Sequence, residues 1–140
     1  MEFFNEMTVS FKSLSINESF ARVTVASFVA SLDPILEDLA DIKTAVSEAV
    51  TNSIIHGYEG KEGVITIHCT ITGKKVTIQI TDNGVGIEDI EQAKQPLYTT
   101  KPEMDRSGMG FTVMETFMDE MDVVSCPGKG TTVTLVKTIA

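Results

Sequence analysis

The chain has 140 residues, 42% of them apolar, and a net charge of −9 from 20 acidic and 11 basic side chains. That length suits one domain over residues 1–140, and the apolar share is enough for a core, which excludes a disordered chain. The charge repels phosphate backbones and argues against a direct nucleic-acid partner, whereas basic protein surfaces fit it.

The opening stretch MEFFNEM is acidic and lacks a basic n-region, so no secretory signal is predicted. Residues 7–12, MTVSFK, alternate and predict a short strand. Ser15-Ile16-Asn17-Glu18 has the form of a capping box and predicts a helix running to about Leu32. Asp33 as N-cap and Pro34 at the first helical position predict a second helix to about His56, stopped by Gly57. Its apolar stripe is Ile35, Leu39, Ile42, Val46, Ala49 and Ser53, spaced by three and four.

Two strands follow, joined at Gly73-Lys74. Ile65, Ile67, Cys69 and Ile71 share one face of the first, and Val76, Ile78 and Ile80 share one face of the second. After residue 83 the pattern fails until Ser107, which is expected to cap a helix over GMGFTVMETFMDE. A last hairpin pairs 122–126 with 131–138 across Pro127-Gly128-Lys129-Gly130. The order β-α-α-β-β-loop-α-β-β predicts an α+β two-layer sandwich: a mostly antiparallel mixed sheet with helices on one face. No apolar run approaches the ~20 residues that span a bilayer, so no membrane is predicted. Cys69 and Cys126 show no ligand spacing and, with no export signal, are expected to be reduced in the cytoplasm.

Strand parity raises a question at Asp82-Asn83-Gly84-Val85-Gly86. Asp82 has the parity of Val76, Ile78 and Ile80, so it points into the sheet–helix layer. An unpartnered buried carboxylate costs several kcal/mol, so Asp82 must meet donors or face a ligand. Thr131 shares parity with Val133 and Leu135 and aims into the same layer, although by itself it reads as a satisfied core hydroxyl. Glu48 and Asn52 lie one helical turn apart on one face, with Ala45, Ala49 and Ile55 as neighbours. A carboxylate there can accept a proton, and an amide oxygen can hold Mg²⁺; a solvated helix face is the plain alternative. Arg106-Ser107-Gly108-Met109-Gly110 precedes a helix whose N-terminus offers free N–H groups to phosphate. It is not a dinucleotide fingerprint, because Val113 stands where the third Gly would and no strand leads in. Gly128-Lys129-Gly130-Thr131 mimics only the end of a P-loop.

In order along the chain, Glu48-x-x-x-Asn52, Asp82-x-Gly84-x-Gly86, Gly108-x-Gly110 and Gly130-Thr131-Thr132 resemble the N, G1, G2 and G3 boxes of one ATPase superfamily. That superfamily includes gyrase B, heat-shock protein 90, histidine kinases and MutL, and its ATP-binding fold is the Bergerat fold. The stretches NESFARVTVASFVASLDP, SEAVTNSIIHGY, QPLYTTKPEMDRSGMGF and FMDEMDVV are similar to the anti-sigma F factors of endospore-forming bacteria. This resemblance implies a homodimeric serine kinase that binds ATP or ADP with Mg²⁺. It further implies sequestration of the sporulation sigma factor F and phosphorylation of a serine of an anti-anti-sigma antagonist.

By the same likeness Glu48 is the catalytic base and Asn52 the Mg²⁺ ligand. Asp82, Gly84 and Gly86 take the adenine side, and Thr131 of the G3 box also binds the nucleotide. Thr99, Thr100, Lys101, Ser107, Gly108, Met109 and Gly110 belong to a lid over about 87–107 and to the phosphate cradle. Arg22 contacts sigma and antagonist. Two alternatives stay open: an ATP-gated sigma-binding module with negligible transfer, and the related stress-response anti-sigma kinase. His56 reads as a helix-end cation, His68 as an exposed strand residue, and Glu88, Asp89 and Glu91 as a solvated face. Met109, Met114, Met118 and Met121 read as core fill.

Overall fold

The computed structural model describes residues 3–95 and 110–140. Among these residues alternating side chains build five strands: β1 (Phe4–Lys12), β2 (Val64–Thr72), β3 (Lys75–Asp82), β4 (Glu120–Cys126) and β5 (Gly130–Thr138). They form one sheet in the order β1-β2-β3-β5-β4, and every pairing is antiparallel rather than mixed. The helices are α1 (Asn17–Val29), α2 (Leu36–Asn52), the short α3 (Ile90–Ala93) and α4 (Gly110–Phe117). α2 packs between α1 and α4. Ala21, Val25 and Val29 of α1, Ile42, Val46 and Ala49 of α2, and Phe111 and Met114 of α4 share one core. The inward residues of β2, β3 and β5 join it. Ile65, Ile67, Ile71 and Ile78 are fully buried, and each gains about 1.5–3 kcal/mol over exposure. A one-residue register slip would turn that whole set outward, so the pattern fixes the register. Cys69 lies among them, where burial pushes its thiol up to about 12, while Cys126 is exposed at the end of β4; neither forms a disulfide. Among the described residues no helix is long and apolar enough to cross a membrane.

Several boundaries differ from the sequence expectation. Ser15 does not cap α1; the Asn17 side-chain amide donates instead to the Lys12 carbonyl at 2.9 Å. Asp33 is not the N-cap of α2. It adopts φ 50°, a left-handed conformation that Asp tolerates, and ends the 3-10 turn Ala30–Leu32. Ile35, extended at φ −66° and ψ 157°, precedes α2 and is 55% exposed, so the buried stripe starts later than its periodicity suggests. Glu37 and Asp38 in the first turn compensate for the missing cap by opposing the helix dipole. α4 stops at Phe117, not at residue 120, because the chain must enter the sheet edge at Glu120. The Lys137 ammonium marks that stop: it donates to the Phe117 carbonyl at 2.8 Å and pairs with Asp41 at 3.5 Å. Met114 and Met118 are core residues, and Met121, partly buried, packs against the core.

Candidate functional site

α2 does not simply end at Gly57. Residues Ser53–Gly57 form one π turn, closed by the Tyr58 N–H on the Ser53 carbonyl at 2.9 Å. Such turns recur at functional sites because the wider winding turns side chains off the helical stripe. Here it faces Ser53 and Gly57 towards the end of β3, where Asp82 pairs in register with Ile65 on one side and Thr131 on the other. Asp82 is only 4% exposed, as its parity predicts. The Ser53 hydroxyl donates to its Oδ2 and the Gly84 N–H to its Oδ1, both at 2.9 Å. Burial pushes the Asp82 pKa up, while the donors at Gly84, Ser53 and the Thr131 backbone pull it back.

The turn after Asp82 runs against the π turn with no space between them. A Cβ on Gly84 would lie 2.0 Å from the Gly57 carbonyl oxygen, which accepts the Val85 N–H at 2.9 Å. A Cβ on Gly57 would lie 2.9 Å from Asp82 Oδ2. Gly86 has φ +77° and passes the Cys126 backbone, where a Cβ would come within 2.3 Å of the carbonyl oxygen. Thr131 lies on the same inner face; its hydroxyl shares a 2.8 Å hydrogen bond with Ser125. Ser125 in turn accepts the Ile87 N–H at 2.7 Å and so tethers the chain leaving the site.

These segments bound a cavity of about 520 Å³, within the usual range for small-molecule sites. Asp82 lies at one wall; Asn52, Gly110 and Phe111 line another part. Gly110, the first described residue of α4, sits directly on α2. A Cβ there would be 2.9 Å from Asn52 Nδ2, 3.0 Å from Asn52 Oδ1 and 3.2 Å from Glu48 Oε2. The structure therefore brings Glu48, Asn52 and Gly110 together, and Asp82, Gly84, Gly86 and Thr131 together; Asn52, Gly110, Asp82, Gly86 and Thr131 line the cleft, whereas Glu48 lies beside Gly110 and Gly84 beside Gly57 without being part of the lining. Arg22 lies elsewhere, on α1, where it donates to Glu18 at 3.2 Å and Ser19 at 3.3 Å. Thr99, Thr100, Lys101, Ser107, Gly108 and Met109 lie outside the described residues. Of the expected lid, Ile87, Gln92 and Ala93 line the cleft, and Asp89 caps α3 through the Gln92 N–H at 3.0 Å.

Ser53 and Gly57 were not singled out by sequence reasoning as site residues. A hydroxyl on an otherwise apolar stripe was the available signal for Ser53; Gly57 offered only a helix stop. His56 lines the cleft as well as ending the helix. The charged lining is mainly acidic: Glu59, Asp82, Glu88 and Asp89 stand against His56 among the described residues. No group of three His, Cys, Asp or Glu side chains among the described residues could hold a metal by itself. An Asn oxygen sharing Mg²⁺ with phosphate oxygens needs no such group, so the residues present fit that ion.

The histidine kinase-like ATPase domain family model matches residues 16–137. An anti-sigma F factor of Thermoanaerobacter pseudethanolicus is 63% identical over 139 residues, 99% of this chain and 97% of the relative. Anti-sigma F factors of Halalkalibacterium halodurans and Clostridium acetobutylicum are 60% and 58% identical, over 95% and 97% of this chain and 92% and 95% of their own lengths. The crystal structure of the RsbU and RsbW domains of a Mycobacterium tuberculosis protein superposes with TM-score 0.68 at 20% identity, a likeness of fold. It covers 96% of this chain and 32% of that one. With the ATPase-domain match and full-length identity of this order, the chain belongs to the anti-sigma F factor family of histidine kinase-like ATPase domains.

Proposed function

We propose that the cleft binds ATP or ADP with Mg²⁺, and that the chain is a homodimeric protein serine kinase that also sequesters a sporulation sigma factor of the F type. Its phosphorylation substrate is a serine of an anti-anti-sigma antagonist. The relatives' shared name supports the sigma partner, and the net charge of −9 suits basic surfaces on it. The observation that carries nucleotide binding is Asp82. A carboxylate kept inside a cleft at 4% exposure, despite the burial that disfavours its charge, is positioned to accept a hydrogen bond from an adenine amino group.

Glu48 and Asn52 supply the chemical end. Asn52 Oδ1 is the side-chain oxygen for Mg²⁺, which when bound neutralises charge on the β- and γ-phosphates. That neutralisation matters here because His56 is the sole basic residue in the described lining. Lys101 of the lid and the N–H groups before α4 are the further phosphate partners. The attacking serine Oγ forms a bond to the γ-phosphorus as the bond to the ADP oxygen breaks, and Glu48 takes the hydroxyl proton. Arg22 on α1 contacts sigma and antagonist away from the cleft.

Single-turnover transfer from labelled ATP to purified antagonist tests this. Glu48→Gln removes the base and keeps the size, so transfer should slow at least ~100-fold with nucleotide and sigma binding retained. Transfer at the wild-type rate would dismiss Glu48 as the base.

A further inference from the structure

We propose that Ser53 is a positioning residue for base selection: its hydroxyl locks the rotation of the Asp82 carboxylate so that the cleft favours purines carrying an exocyclic amino donor. The inference rests on the reading of Asp82 as the base acceptor and adds the residue that aims it.

A carboxylate at the end of a strand can turn about its last side-chain bond. Asp82 is held on both oxygens, by Gly84 N–H on Oδ1 and by Ser53 on Oδ2, each at 2.9 Å. Gly57 closes one side, because its Cβ position lies within 3.0 Å of Oδ1, Oδ2 and Cγ. A carboxylate has about four acceptor positions, and Gly84, Ser53 and the Thr131 backbone use most of them. What remains faces the cleft that Asp82 lines. Gly84 and Thr131 act through backbone of the two chain segments beside Asp82. Among the described residues Ser53 is the one side-chain donor, and it comes from another layer, 29 residues away in sequence.

A serine buried in a helix ordinarily turns its hydroxyl to a carbonyl of the preceding turn. Ser53, at 5% exposure, instead spends its proton on Asp82. The π turn makes this possible, and the same turn brings Gly57 onto the carboxylate. Ser53 also supports the ionised form, since burial pushes the Asp82 pKa up and the Ser53 donor pulls it down. Loss of that donor lets the carboxyl protonate at higher pH. Among the described residues Asp82 is faced by Ser53 and Gly57 from the π turn, Gly84 from its own loop and Thr131 from β5, and the other titratable groups lining the same cleft are His56, Glu59, Glu88 and Asp89.

The test compares affinity for ATP with that for purine riboside triphosphate, which lacks the exocyclic amine, by calorimetry from mildly acid to mildly alkaline pH. The ratio of the two affinities cancels every pH effect that both ligands share, that of their phosphates included. The wild type should prefer ATP. Ser53→Ala should lower that preference about five- to tenfold at neutral pH, and should lose the rest of it at a higher pH than the wild type does. Ser53→Thr keeps a hydroxyl and should recover the preference. If Ser53→Ala weakens both ligands equally, Ser53 only supports the fold and the proposal is overturned. A preference kept in full by Ser53→Ala at every pH overturns the role of Ser53 alone. A wild type with no preference overturns the reading of Asp82 and this inference with it.

Discussion

Asp82→Asn separates recognition from stability, because the two should move in opposite directions. The asparagine oxygen can still accept the Gly84 N–H now held at 2.9 Å on Oδ1. Its NH₂ then faces Ser53, whose hydroxyl can turn from donor to acceptor, so the contact with the π turn is kept. What disappears is the charged acceptor. A hydrogen bond to a charged group contributes about 1.5–3 kcal/mol, so ATP affinity should fall roughly 10- to 150-fold at 1.4 kcal/mol per tenfold. ADP should lose the same factor, since the substitution does not touch the γ-phosphate.

Stability of the nucleotide-free protein should rise. Burial raises the folded-state pKa of Asp82 above its unfolded value. The folded state therefore binds this proton more readily than the unfolded one, and stability falls as pH rises through that window. The penalty is absent below the ordinary carboxylate pKa of about 3.9 and complete above the raised value. Asp82→Asn should accordingly melt higher than wild type at neutral pH, with the difference fading as pH is lowered. Calorimetric titration and thermal melting at a series of pH values read both effects. Superimposable isotherms for mutant and wild type, or a loss for ATP with none for ADP, would refute the placement of adenine at Asp82.

Gly84→Ala would put a methyl 2.0 Å from the Gly57 carbonyl oxygen; the obstacle is backbone rather than a flexible side chain, so urea unfolding should show a loss of at least about 1–3 kcal/mol. Asn52→Ala should make ATP affinity insensitive to Mg²⁺, measured by titration with and without chelator; a retained Mg²⁺ response places the ion elsewhere. Arg22→Ala should weaken sigma and antagonist binding by about 2 kcal/mol, the scale of an interface arginine. The helix itself should lose only the ~0.2–0.5 kcal/mol of its Glu18 pair. Unchanged partner affinity in a direct assay would move the interface off α1, and a monomer mass by light scattering would contradict the dimer.

Periodicity along the chain determined which residues face inward. Ile65, Ile67, Cys69 and Ile71 on β2, and Val76, Ile78, Ile80 and Asp82 on β3, are buried as their parity predicts. That much is local: strand side chains alternate, and one register alone buries the apolar set. The same logic turned Asp82 into a site candidate and placed Glu48 above Asn52 on one helical face. Family resemblance supplied the roles of these residues, which spacing could not.

Only the tertiary structure decided what meets what. Asp33 was legible as a helix boundary, yet whether it caps the following helix or ends the preceding one depends on its φ, set by how α1 and α2 pack. Ser53 looked like one small member of a stripe, and Gly57 like a stop. Their convergence on Asp82 requires the π turn at the end of α2, the crossing at Gly84, and the sheet register beneath. Gly110 likewise seats on Asn52 and Glu48 only because α4 packs against α2. Hydrogen-bonded periodicity is a property of near neighbours in sequence and can be read there. Close approach between segments tens of residues apart arises from packing of the whole core, where a missing Cβ or one hydroxyl acquires its function from the atoms that happen to lie opposite.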